Sequence, residues 1–197
     1  MTSRGCRTIG PVAAICLALV AAGSARAEPA PGRLALVFGQ SAYANMPPVP
    51  GCAASAQAVA NRLQQLGFDV ISQIDASNGA MSAALSDFAH RKTLATDPRV
   101  VVYVCARAAG FENRVFLLPV TASVTRPSDV LTEGIPAQSI IDLAGQNTAV
   151  SLTVLDTFGT EDPDAFAKRQ HLAPGHFLVV AVEPTIGTTA TPLSQAL

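Results

Sequence analysis

Charge is what this sequence has least of. Only 14% of its 197 residues are Asp, Glu, Lys or Arg, with 13 basic residues facing 14 acidic ones. No basic surplus is left for a phosphate backbone, so no nucleic-acid partner is expected. Tryptophan is absent and histidine occurs three times. No zinc-type spacing, P-loop or glycine-rich dinucleotide fingerprint is present, so neither metal nor cofactor is expected. Glu161-Asp162-Pro163-Asp164 could attract a cation, but an acidic surface loop accounts for it better. There is no internal repeat, heptad or low-complexity tract. What the chain has in quantity is aliphatic residue: 49% of it is hydrophobic. That excludes a disordered chain. Together with the length, it allows one domain of ordinary size with a proper core.

Much of the hydrophobic excess lies at the front. Arg4 and Arg7 form a positive start, Ile9 to Gly23 an apolar run broken only by Pro11, and Ala25-Arg26-Ala27 a small-x-small cleavage site. Residues 1–27 therefore read as a secretory signal peptide, followed by a short linker over 28–32 and a domain over 33–197. The apolar run is short for a span, no later stretch reaches spanning length, and no membrane contact is expected after cleavage. Cleavage removes three Arg and no acid, leaving 10 basic residues against 14 acidic ones, a net charge of -4 over 170 residues. A periplasmic or secreted location is expected. Cys6 and Cys16 leave with the signal, so Cys52 and Cys105 remain. In an oxidising compartment two readings stay open, a disulfide or two buried thiols.

Short apolar runs alternate with helical patterns along the rest. Leu34 to Phe38 is a continuous apolar run ending at Gly39, as expected of a strand buried on both faces. Ala56, Val59, Ala60, Leu63 and Leu66 recur at helical spacing, with Gly67 as a stop. Phe68 to Ile74 alternates as a second strand. Ser77 or Asn78 can cap a second helix with Met81, Leu85 and Phe88 on its inner stripe. Arg99 to Cys105 is a β-branched third strand, and Val115 to Val120 a short extra one. Pro136 suits the first turn of a helix carrying Ile140, Ile141 and Ala144. Val150 to Leu155 and Phe177 to Val182 are the fourth and fifth core strands. This alternation predicts a three-layer α/β domain: a mainly parallel sheet of about five core strands, helices on both faces. In such sheets the site lies outside the carboxyl ends of the strands. That directs attention to Gly39–Gly51, Cys105–Glu112 and Asp156–Asp164.

At those three places the chain resembles the caspase-like clan of cysteine peptidases, in particular bacterial orthocaspase and metacaspase-type domains. Arg33 to Tyr43 is similar to the family's first strand and its "G-N-S-A-Y" turn. Gly51-Cys52 and Ala56 fall where the family reads "N-D-A", with Ala54 and Ser55 replacing that Asn-Asp. Phe116 to Val120 matches "Y-L-L-P-V", and Leu152 to Asp156 matches the strand entering the nucleophile turn. Thr191 to Leu197 resembles the "S-P-F-T-x-A-L" that opens a later helix. The resemblance implies the caspase-like fold with core strand order 2-1-3-4-5. The chain stops soon after strand five, where relatives often continue, and a truncated domain is one expectation.

The family pairs a His from "G-H-G" after strand three with a Cys from "D-x-C" after strand four. Here the His position falls on Arg107 and the Cys position on Phe158. They are 51 residues apart, in keeping with the family spacing of about 50. Phe cannot attack a carbonyl, and a guanidinium cannot act as a base near neutral pH. No catalytic residue is expected at the dyad positions. The resemblance gives Asp156 a role in shaping a pocket for a basic substrate side chain, and Ser55 replaces the other acidic position of that pocket. If strands one and three are neighbours, a Cys52–Cys105 disulfide across the site mouth is geometrically open.

Two functions follow. The first is a non-catalytic pseudopeptidase acting by binding a protein or peptide partner, with Arg107 and Asp156 as binding residues. An uncovered strand-five edge would serve a partner or a homodimer. A flavodoxin-like module is disfavoured, because Gln40 to Pro50, with three prolines, is no phosphate loop. The alternative is an active endopeptidase using Cys105 or Thr157 as nucleophile, with His171 swinging over the site. His90 and His176 match no catalytic position.

Overall fold

The computed structural model describes residues 32–159, 163–183 and 189–197. The expected leader over 1–27 and Glu161-Asp162 lie outside the described residues. The first strand, β1 (Arg33–Gly39), is buried from Leu34 onward. Its residues alternate between two cores, because a strand covered on both faces needs apolar side chains on both. Helix α1 (Pro50–Gln65) starts on a proline and buries Cys52, Ala56, Val59, Ala60 and Leu63 along one stripe. Gly67, at φ +79°, turns the chain into β2 (Asp69–Ile74). Helix α2 (Asn78–Leu94) is capped by Ser77, whose hydroxyl accepts the Ala80 N–H at 3.2 Å.

The third strand is longer than its apolar run. β3 (Arg99–Phe111) continues six residues past Cys105, turns at Glu112 and Asn113, and returns as β4 (Arg114–Leu118). Both turn residues have positive φ, as a two-residue type I′ hairpin requires. Helix α3 (Val130–Glu133) and the two-residue β5 (Ile135–Pro136) follow, and then α4 (Ala137–Gly145). The remaining elements are β6 (Val150–Phe158), α5 (Pro163–Lys168), β7 (His176–Glu183) and α6 (Pro192–Ala196).

The seven strands form one sheet. Its parallel core runs β2-β1-β3-β6-β7, which is the order 2-1-3-4-5 counted over core strands. Along β3, Arg99 to Cys105 pairs with β1, and Arg107 to Phe111 pairs with antiparallel β4. On one face α1 packs over Ala35, Val37, Tyr103, Cys105 and Val154. On the other, α2 and α4 pack over Leu36, Phe38, Val102, Val104 and Leu155. Phe38 and Phe88 are fully buried on that second face. Such side chains contribute roughly 1.5–3 kcal/mol each.

Candidate functional site

The carboxyl ends of β1, β3 and β6 meet beneath the loop that leads into α1. Gly39 makes this possible: a Cβ there would lie 2.5 Å from Ala56 Cβ and 2.7 Å from Cys52 O. Without a side chain at Gly39, α1 settles close enough for Cys52 to meet Cys105 on β3. Their sulfurs are bonded, with the Cα atoms 5.2 Å apart. The β1–α1 loop is held from the other side by Asp75, at φ +54°. Its carboxylate accepts the N–H groups of Ser41 at 2.6 Å and Ala42 at 2.8 Å.

Arg107 and Phe158 stand directly opposite each other, as Cα partners on adjacent parallel strands. Phe158 is 3% exposed. It packs in the core below α1. Arg107 donates from Nε to Pro47 O at 3.0 Å, and its guanidinium lies 5.7 Å from the centre of the Tyr43 ring. Tyr43 is the bracket of the site. Its hydroxyl donates to Leu118 O at 3.0 Å and accepts the Arg107 N–H at 2.7 Å. Burial pushes the Tyr43 phenol far above its ordinary range, so it stays a neutral donor. The terminal nitrogens of Arg107 have no hydrogen-bond or ion-pair partner among the described residues.

Two residues before Phe158, Asp156 is fully buried on the same face. One of its oxygens, Oδ2, accepts the Tyr103 hydroxyl at 2.8 Å and also the Thr191 hydroxyl. Ser55 Oγ accepts the Thr191 N–H at 2.8 Å and donates to Thr191 Oγ1 at 3.2 Å. The other oxygen, Oδ1, has no partner among the described residues. Burial raises the Asp156 carboxyl above its ordinary value, with the hydroxyls of Thr191 and Tyr103 pulling the other way. Thr191 is also the N-cap of α6, accepting the Ser194 N–H. The chain's own segment therefore stands against the carboxylate.

The alternative nucleophiles are not assembled. Cys105 is fully buried and its sulfur is bonded to Cys52. Thr157 Oγ1 is buried and donates to Ala181 O at 3.0 Å. His171 lies on the opposite side of the sheet from Cys105, tied to α4 through Gln138: its N–H reaches Gln138 Oε1 at 2.9 Å. His176 is on that side too, with Nδ1 2.8 Å from Ser151 Oγ and its ring 3.3 Å from where a Gly145 Cβ would sit. His90 lies on α2 and is exposed. The reason His171 cannot close over Cys105 is topological, since the sheet itself separates them. Among the described residues, no group of three or more His, Cys, Asp and Glu could hold a metal ion.

A caspase-domain profile matches residues 32–179. The chain belongs to the caspase-domain family. Two solved structures share the fold. Caspase-1 from Spodoptera frugiperda superposes with a TM-score of 0.55 at 11% identity, covering 86% of this chain and 68% of its own. A Geobacter sulfurreducens protein gives 0.51 at 14% identity, covering 66% of this chain and 52% of its own. The chain thus spans about half the length of that second structure. No curated protein matches. In this caspase domain the carboxyl ends of β3 and β6 carry arginine and phenylalanine in register. The sequence singles out both, together with Asp156, and the structure sets Arg107 beside Phe158 on neighbouring strands. Sequence reasoning missed Tyr43 as their bracket and Thr191 as the partner of Asp156. Both residues stood in family-like motifs, which was the only signal for them.

Proposed function

We propose that this caspase domain is a non-catalytic pseudopeptidase, exported from the cytoplasm, that works by binding a protein or peptide partner at the former active-site mouth. The observation that carries the reading is the register pair Arg107 and Phe158, one unable to act as a base and the other unable to act as a nucleophile. Arg107 keeps its side chain braced by Pro47 and Tyr43 while its terminal nitrogens stay open, which suits a carboxylate on the partner. Export is favoured by the leader-like residues 1–27 and by the Cys52–Cys105 bond, since structural disulfides persist in oxidising compartments. A strand from a partner, or from a second copy, is proposed to add to the β7 edge, where Phe177 is 59% exposed.

A panel of fluorogenic peptides with Arg, Lys or Asp before the scissile bond tests the reading. No turnover is expected from the purified protein. Turnover abolished by Thr157→Ala or Cys105→Ala would establish the active-endopeptidase alternative instead. Binding is read separately, by titrating acidic peptides against the protein and against Arg107→Gln. Loss of about tenfold in affinity is expected for the variant.

A further inference from the structure

The mouth ends in an open strand edge. β6 pairs with β3 only as far as Phe158 opposite Arg107. The next residue, Gly159, lies against β3, where a Cβ would stand 2.8 Å from Ala108 O. β3 runs on to Phe111, paired with β4 on its other side. Among the described residues no strand follows β6 along this stretch. Two contacts fix which way its backbone groups point. The Arg107 N–H meets the Tyr43 hydroxyl that also bonds Leu118 O, so Arg107 turns its backbone toward β4. Ala108 O turns the other way, toward Gly159, and alternation along the strand puts the N–H and C=O of Gly110 on that same open side. Gly110 is exposed, and the small Ala108 and Ala109 beside it leave room for a neighbouring backbone. Ala109 and Phe111 share a face with Arg107 and are partly buried there.

Where the edge stops decides what kind of chain can add to it. A peptide passing Arg107 along this edge would run into Phe158 and Gly159, whose strand already fills the place beside β3. A peptide running antiparallel to β3 ends there instead, with its last carboxylate at the Arg107 end of the edge. We infer, on the reading that Arg107 binds a partner's carboxylate, that the mouth takes the free carboxyl terminus of that partner as an added strand. Gly110 supplies the main-chain hydrogen bonds. The last side chain of the peptide lies over Ala109, and the one two residues earlier lies over Phe111, so apolar residues suit both places. Arg107 has its Nε bound to Pro47 O and keeps its terminal nitrogens for the carboxylate.

The test is fluorescence anisotropy of a labelled hexapeptide, Gly-Ser-Gly-Leu-Thr-Val, as the free acid and as its carboxyl-terminal amide. A third probe is the amide with Glu in place of Thr, which carries a carboxylate but no free terminus. The free acid is expected to bind about tenfold tighter than either amide, and Arg107→Gln to remove that advantage. Gly110→Pro removes an N–H at an edge position, where proline is tolerated, and is expected to weaken the free acid about tenfold with the melting temperature unchanged. Equal affinity for acid and amide in the parent protein, or no binding of the acid, would overturn the proposal. Free-acid binding unchanged in Gly110→Pro would overturn the added strand. Binding of the Glu amide as tight as that of the free acid, and lost in Arg107→Gln, would overturn the free terminus while leaving the Arg107 mouth in place. Cleavage of any of the peptides would overturn the non-catalytic reading of the mouth itself.

Discussion

Placing a sulfur at position 158 should harm this protein and gain it no peptidase activity. Phe158 is 3% exposed at the end of β6 and packs in the core under α1. Phe158→Cys removes most of a buried ring that its close-packed neighbours cannot fully replace. Truncating a buried Phe to Ala costs about 3–5 kcal/mol, and the retained sulfur places the Cys variant near the lower end, at about 3 kcal/mol. For a domain of this size each kcal/mol lowers the melting temperature by about 2–4 °C, so a fall of about 6–12 °C is expected. Circular dichroism of both proteins under non-reducing conditions measures it. The new thiol would face Arg107, which can attract a thiolate but cannot pass a proton to a leaving amine. Peptide turnover should therefore remain at the blank level. A melting temperature within about 2 °C of the parent would refute the packing argument. Turnover by the single variant, with Arg107 still in place, would refute the chemical one.

Cutting the Cys52–Cys105 bond opens a loop of 53 residues, worth about 4 kcal/mol on a chain-entropy estimate. Cys52→Ala/Cys105→Ala should lower the urea midpoint accordingly, and thiol titration of the unfolded, unreduced chain from residue 28 should find none. Two free thiols would contradict the bond. Asp156 has its carboxyl raised by burial, so between its ordinary value of 3.8 and the raised native value the folded protein holds more protons than the unfolded one. Its contribution is full below 3.8 and is lost as pH rises through the native value, so urea midpoints should fall with pH more steeply in the parent than in Asp156→Asn. Parallel profiles would count against a raised carboxyl. Tyr43→Phe leaves the Arg107 N–H and the Leu118 carbonyl without their shared hydroxyl, at a cost of about 1–3 kcal/mol in denaturant unfolding.

The core strands were legible because burial on both faces forces continuous apolar runs, as in Leu34 to Phe38. Their order followed from the family resemblance, Arg107 from an ungapped count back from Leu117 to Val120, and Phe158 from its place two residues after Asp156 in the family's "D-x-C" pattern. The far half of β3 was not legible. Ala106 to Gly110 is poor in β-branched residues, and the ladders to β4 and, as far as Arg107, to β6 hold it extended. The state of Cys52 and Cys105 depends on how near α1 comes to β3, which Gly39 decides by lacking a side chain. Thr191 finds Asp156 across 35 residues of sequence, a contact that no local pattern announces. Likewise His171 looked mobile enough to serve the mouth, but which side of a sheet a connection runs along is settled only by the crossover that precedes it.

Because β3 runs unbroken from Arg99 to Phe111, Arg107 sits inside a ladder with β4 on one side and β6 on the other. A residue on a flexible loop can wait for its ligand and then fold around it. This one cannot move without breaking backbone hydrogen bonds on both flanks. Binding of the proposed partner at the mouth should therefore be a docking of preformed surfaces, with little ordering entropy to lose. Its rate would follow encounter and charge, and would not lag behind a slow opening step.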